Sequence, residues 1–287
     1  MRRLAISMLA AVLLSACQTA SAPAMLTDPP RDAQHPARME VLHIPSGGVE
    51  INGVAYLPSG VGAHPPLVIC HGWPGNEKNL DLAQAVRRAG WNAVTFNYRG
   101  SCGSPGEFYF AQVPDDAASV IAWLRRPEVA AKYGIDPARI ALAGHSMGGW
   151  ATALVASKDP ELIGAALISA ADMARLGDRP RDQVVRAAAA NAETLVTTTE
   201  KMADELAAGV KALSLSTTAT GLAKIPLLVL SSDDGLAPGT GALAGATRQA
   251  GGNVTTKHEA TDHSWSDRRI KLAGLVVDWL QSLPGAK

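Results

Sequence analysis

From Met39 to the C-terminus, short apolar runs alternate with stretches in which hydrophobic residues recur every three to four positions. That alternation predicts a mostly parallel sheet flanked by helices, an α/β class of fold. Met39 to Ile44 and Val49 to Leu57 read as a hairpin turned at Ser46-Gly47-Gly48. Pro66 to Cys70 is continuously apolar, as a strand covered on both faces should be. Helical spacing runs from Leu80 to Ala89 and stops at Gly90, and Trp91 to Asn97 returns to strand. Pro114-Asp115-Asp116 opens a helix through Leu124, with Val120, Ile121 and Leu124 on one side. Further strands are expected at Arg139 to Ala143, Ile163 to Ser169, Ile225 to Ser231 and Asn253 to Glu259. Helices are expected at Trp150 to Ser157 and at roughly Arg268 to Leu280.

Two stretches depart from the alternation. Ala171 to Lys224 has helical composition and no strand, although strands flank it. It is expected to form a helical cap insertion, at about 171–224, over the C-terminal edge of the sheet, where α/β folds seat their ligands. No Phe, Trp or Tyr occurs between Ala151 and Ser264, so this cap offers no aromatic platform. At the other end, Arg2 and Arg3 precede an apolar run from Leu4 to Leu14 that is too short to span a bilayer. It reads as the basic and hydrophobic regions of a secretory signal peptide over residues 1–16. Residues 17–38, rich in Ala, Pro, Thr and Asp, read as a flexible spacer about 25 Å in reach. Residues 39–287 then form one domain.

Composition narrows the chemistry. The 287 residues are 47% hydrophobic and 18% charged, enough to bury a large core. Acidic and basic residues balance at 26 each, with no basic block, which argues against a nucleic-acid partner. There is no H-E-x-x-H, no paired C-x-x-C and no G-x-x-x-x-G-K-[ST], so no metal or other cofactor is expected. Cys70 closes an apolar strand and Cys102 lies in a glycine-rich loop, and both are expected as unpaired thiols. Nothing in the sequence fixes an oligomeric state.

Gly144-His145-Ser146-Met147-Gly148-Gly149 lies between a predicted strand and a predicted helix. A serine alcohol is a weak nucleophile and must be held out of the sheet near a base. A tight strand-to-helix turn does this, and glycines two residues either side let the two elements approach. The turn also sets Ser146 at a helix N-terminus, whose free N–H groups favour a developing oxyanion. His71-Gly72-Trp73-Pro74-Gly75 follows the Pro66 to Cys70 strand and can bring a second donor. The main-chain N–H groups of Trp73 and Met147 are therefore the candidate oxyanion hole. Ser231-Ser232-Asp233-Asp234-Gly235 leaves a late strand, and either aspartate could orient an imidazole. Asp234 is favoured by its four-residue spacing to Pro238. Of the seven histidines, His263 sits between the last strand and the last helix and is the candidate base. His258 lies within a strand and His71 on the oxyanion side, which assigns both to structure.

The order Ser146, Asp234, His263 resembles that of the α/β-hydrolase superfamily over about Met39 to Leu283. Asn97-Tyr98-Arg99-Gly100-Ser101-Cys102-Gly103-Ser104-Pro105-Gly106 looks like the prolyl-oligopeptidase-like and dienelactone-hydrolase-like branches. Dienelactone hydrolases proper use cysteine at the position of Ser146, and dehalogenase and epoxide-hydrolase relatives use aspartate there. The resemblance implies a serine hydrolase acting on a small-molecule ester or peptide, with ester cleavage through an acyl-enzyme as the first reading. A serine exopeptidase or amidase is the alternative, and a catalytically silent envelope binding protein is disfavoured by the intact apparent triad. Separately, Leu14-Ser15-Ala16-Cys17 resembles the lipobox of bacterial lipoproteins, which implies cleavage before Cys17 and its lipidation. The membrane would then be reached only through that anchor, with Gln18 resembling proteins sorted to the outer membrane.

Overall fold

The computed structural model describes residues 24–208 and 213–285. The signal segment and Cys17 lie outside the described residues. The apolar runs become β1 (Arg38–Ser46), β2 (Val49–Leu57), β3 (Pro66–Cys70), β4 (Asn92–Phe96), β5 (Ala141–His145), β6 (Gly164–Ile168), β7 (Leu227–Ser232) and β8 (Val254–Glu259). They join in one sheet ordered β1-β2-β4-β3-β5-β6-β7-β8. β2 is antiparallel to β1 and β4, and every pairing from β4 to β8 is parallel. Gly47 and Gly48 turn the hairpin with φ of 55° and 85°, which a two-residue turn of this hand requires.

The helices are α1 (Leu80–Arg88), α2 (Val113–Leu124), α3 (Pro127–Tyr133), α4 (Met147–Ala156), α5 (Met173–Leu176), α6 (Arg181–Ala189), α7 (Thr199–Ala208), α8 (Ala219–Leu222), α9 (Ala237–Gln249) and α10 (Arg269–Ser282). Two of them, α3 and α9, are not foreseen by the hydrophobic pattern. Every residue of β3, β4, β5 and β6 is buried, because helices cover both faces. Leu67, Ile69 and Ala143 point to a core with Val86 of α1 and Leu272 and Val276 of α10. Val68, Cys70 and Leu142 point the other way, to Val120 and Ile121 of α2 and Trp150 of α4. Each fully buried aliphatic side chain contributes about 1.5–3 kcal/mol, so this double layer is the main support of the sheet edge described below.

The segment between β6 and β7 carries α5, α6, α7, α8 and a short 3-10 turn at Leu215–Thr217, with no strand of the sheet among its described residues. This is the helical cap. Its own small core includes Val184, Ala188, Met202 and Leu206. Polar contacts tie it down: the Trp150 indole donates to the Leu213 carbonyl at 2.6 Å, and Glu205 accepts from the N–H groups of Phe110 and Ala111. The Val196 N–H donates to the Gly100 carbonyl at 2.7 Å. The Asn97 to Gly106 stretch thus serves architecture. Asp116, wholly buried, accepts from the Arg99 backbone N–H and guanidinium and from the Ser46 hydroxyl. At Gly100, with φ of 64°, a Cβ would stand 2.3 Å from the Phe108 nitrogen.

Within the expected spacer over 17–38, one described segment packs on the body. Residues Ala24–Leu26 form a 3-10 turn against α1 and α10, where the Met25 side chain abuts Gly274 and its carbonyl accepts from Arg88. An apolar side chain with a place to bury holds this part of the tail to the body. Cys70 and Cys102 are free thiols, and burial pushes Cys70 up to about 12. No helix among the described residues is long and apolar enough to cross a membrane.

Candidate active site

β5 ends at His145 and α4 begins at Met147, so Ser146 alone makes the turn. Its backbone sits at φ 57° and ψ −121°, a region that an L side chain enters only under strain. The glycines make the turn sterically feasible. A Cβ on Gly144 would meet the Gly148 oxygen at 2.1 Å, and one on Gly148 would meet the Cys70 oxygen at 2.1 Å. Main-chain bonds pin the turn: the Ser146 N–H donates to Ile168, and its carbonyl accepts from Gly149 and Ala171, all at 3.0 Å. Ser146 is partly exposed where its neighbours on both sides are buried.

The β3 exit loop lies directly on this turn. A Cβ on Gly72 would stand 3.0 Å from the Ser146 Cβ, so glycine lets this loop pack on the turn without displacing it. Met147 is the first residue of α4, and its N–H has no partner within the helix. Neither the Trp73 nor the Met147 N–H donates to another main-chain group among the described residues. His71 shapes the loop. Its Nδ1 contacts the Gly72 carbonyl at 2.7 Å, and its own carbonyl accepts from the Tyr98 hydroxyl at 3.1 Å. Burial lowers its pKa to about 4, which leaves it neutral and only weakly basic.

The two aspartates separate cleanly. Asp234 accepts from His263 Nδ1 at 2.8 Å, with the carboxylate side chain 3% exposed. Burial alone would raise its pKa. The bonds from His263, from the Leu236 N–H and from the Ser232 and Ser169 hydroxyls outweigh this and hold the carboxyl below its usual range. Asp233 instead faces His258 at 3.0 Å, on the exposed edge strand β8.

His263 is seated from several sides. Its ring lies 4.7 Å from that of His145, whose Nε2–H donates to the His263 carbonyl at 2.8 Å. Burial, followed by the proximity of His263, lowers His145 to about 4. Arg269 reaches from α10 to the Ser264 carbonyl at 2.9 Å and to Asn79 at 3.0 Å, which fixes the loop against the start of α1. His145 thus joins Ser146 and His263 through adjacent contacts. Among the described residues the Ser146 hydroxyl makes no hydrogen bond to His263, and such bonds are commonly long until substrate tightens them.

Three positioning residues leave no mark in the sequence. Ser169, the residue after β6, has φ of 42° and is buried, and its hydroxyl stands 2.8 Å from that of Ser232. The indole N–H of Trp265, itself wholly buried, donates to Ser169 at 3.1 Å. This buried chain connects the His263 loop to the floor under Asp234. Its members come from three separate elements, and only tertiary folding brings them together.

Beside the site lies a cavity of about 920 Å³ between α5, the turn at Ser214–Ser216 and α9. Ala171, whose N–H holds the Ser146 carbonyl, and Gly235 and Leu236, which follow Asp234, form its inner wall. No group of three or more His, Cys, Asp or Glu among the described residues could hold a metal ion.

A strained strand-to-helix turn at the C-terminal edge of this mostly parallel sheet, capped between β6 and β7, defines a molecule of the α/β-hydrolase class. Residues 65–217 match the family described as alpha/beta hydrolase fold, and the chain belongs to that family. An uncharacterized 31.7 kDa Escherichia coli protein, from the traX-finO intergenic region, is 36% identical over 108 residues, or 36% of each chain. The match therefore spans about a third of that relative. Two solved structures share the fold. EstE1, a thermostable carboxylesterase cloned from a metagenomic library, superposes with a TM-score of 0.65 at 20% identity, covering 87% of this chain and 90% of that one. A Pyrobaculum calidifontis esterase does so with a TM-score of 0.65 at 19% identity, covering 87% of each.

Proposed function

We propose that the protein is a serine hydrolase that cleaves carboxylic esters through an acyl-enzyme intermediate. The observation that carries this reading is the 2.8 Å bond between Asp234 and His263, made by an imidazole packed on the residue that precedes Ser146. Asp234 accepts from Nδ1 and so leaves Nε2 as the acceptor for the serine proton. Ser146 attacks the ester carbonyl as His263 takes that proton, and the N–H groups of Trp73 and Met147 receive the oxyanion. Collapse breaks the C–O bond, and His263 returns the proton to the departing alcohol. Water, deprotonated by the same imidazole, then attacks the acyl-enzyme and frees Ser146 and the acid. The esterases that share the fold support an ester as the substrate.

Turnover of 4-nitrophenyl acetate and butyrate by the wild type, with matched anilides cleaved more slowly, is the expected result. Ser146→Ala should lower kcat by at least about 10³-fold and abolish labelling by a fluorophosphonate probe. Undiminished turnover in that variant overturns the assignment. The proposal extends to location: cleavage before Cys17 and acylation of that residue tether the domain to the bacterial envelope, facing the periplasm from the outer membrane. Two or more acyl chains give stable anchorage where one does not. Incorporation of labelled palmitate by the wild-type precursor but not by Cys17→Ala checks it, and equal labelling of both refutes it.

A further inference from the structure

The cavity beside Ser146 is unevenly lined. Its floor is apolar, with Met173 and Leu176 from the cap facing Leu236 and Leu243 across it. Its ionisable lining consists of Asp172, Arg175 and Arg179. Asp172 is engaged within the cap: its carboxylate accepts from the Ser214 hydroxyl at 2.9 Å and from the N–H groups of Ala174 and Leu215. The two arginines have no acidic partner among the described residues, although most other arginines of the body are paired. Both are exposed, one turn of chain apart, and both border the same apolar space. An apolar pocket bordered by two guanidinium groups, with Ala171 on its wall bonded to the Ser146 carbonyl, is complementary to an amphipathic chain with an anionic terminus. The planar fork of Arg suits a carboxylate, and two forks on one rim give a preference that water alone does not cancel.

We infer that this cavity is a substrate site for esters that carry a carboxylate at the far end of an apolar arm, with Arg175 and Arg179 receiving that carboxylate. The inference rests on the ester-hydrolase reading and names the substrate class it serves. A neutral ester of the same length fills the apolar floor equally well and leaves the guanidinium groups hydrated, so discrimination lies in the charge alone.

The test reads binding on the full chain carrying Ser146→Ala, so that no turnover intervenes. Monoethyl decanedioate is titrated calorimetrically against diethyl decanedioate, which places the charge on the acyl arm. Carboxypentyl butanoate against its methyl ester places it on the alcohol arm. The acid of at least one pair should bind about tenfold more tightly than its neutral partner, and the preference should shrink as salt rises. Adding Arg175→Gln and Arg179→Gln should bring the ratio to within about twofold, with an unchanged thermal melt showing that the cap is intact. Equal binding of acid and neutral ester in both pairs, or a preference that survives the double replacement, overturns the inference. Either result leaves ester cleavage by the wild type untouched. Conversely, a wild type without ester turnover leaves the binding result standing and removes only the proposed chemistry.

Discussion

Asp233 and Asp234 stand one peptide apart and meet different histidines. Asp234 turns inward to His263 under a nearly closed surface, while Asp233 turns outward to His258 with more than half of its side chain in solvent. An exposed pair of that kind is worth about 1 kcal/mol at most. Removing the inner carboxylate loses the imidazole tautomer on which the proposed chemistry depends. Asp234→Asn should therefore lower kcat for a short-chain ester by about 10³- to 10⁴-fold. Asp233→Asn should stay within about twofold of the wild type, as an exposed pair of this worth allows. Steady-state kinetics on the two variants reads both, and equal losses would mean that the outer pair shares the work. The sequence carried the choice weakly, through the spacing from Asp234 to Pro238. It carried nothing of Ser169, Ser232 or Trp265, because hydrogen bonds between residues 63 and 96 positions apart leave no local pattern.

At the scale of the element, glycines explain both what the sequence announced and what it hid. Gly144 and Gly148 flank the Ser146 turn and are legible because their spacing is dictated by contact: the Cβ of any other residue would overlap backbone atoms at 2.1 Å. In α9, Gly239, Gly241 and Gly245, together with Pro238, dilute the hydrophobic period until the helix no longer reads as one. A Cβ on any of those three glycines meets nothing within 4 Å. The same substitution should thus act with opposite sign in the two places. Gly144→Ala should cost about 3 kcal/mol or more, since rigid backbone on both sides cannot give way. Gly241→Ala, in an open helix position, should gain about 0.5–1 kcal/mol. Urea unfolding of both variants measures this, and a stabilised Gly144→Ala would show that the turn is looser than its contacts require. The seven-residue α3 escaped for a different reason, being too short for a helical period to emerge.

On the scale of the whole molecule, acid should act first on the sheet edge that holds the site. His71 and His145 lie on either side of Ser146 along the fold, one in the β3 exit loop and one at the end of β5, and both are buried. Burial is the largest cause of the fall in each, from the ordinary 6.5 to about 4. The unfolded chain therefore takes up protons as pH drops below 6.5, while the folded chain stays neutral at both positions until about 4. Because the unfolded state binds more protons in that window, stability falls as pH falls through it and levels off below it. A pKa difference of this size gives a loss of about 2 kcal/mol per histidine between about pH 7.5 and pH 5. Asp234, held below its usual range, adds a separate loss at lower pH, where the carboxylate of the folded state is at last protonated. Urea unfolding at a series of pH values should show the first decline in the histidine range, before the carboxylates titrate. His145→Gln keeps a side-chain amide able to donate to the His263 carbonyl and removes the titration, so its stability should decline about half as steeply across the same window. A variant profile parallel to that of the wild type would mean that His145 takes up its proton in the folded state at no cost. The imidazole would then not be sealed from water beneath His263.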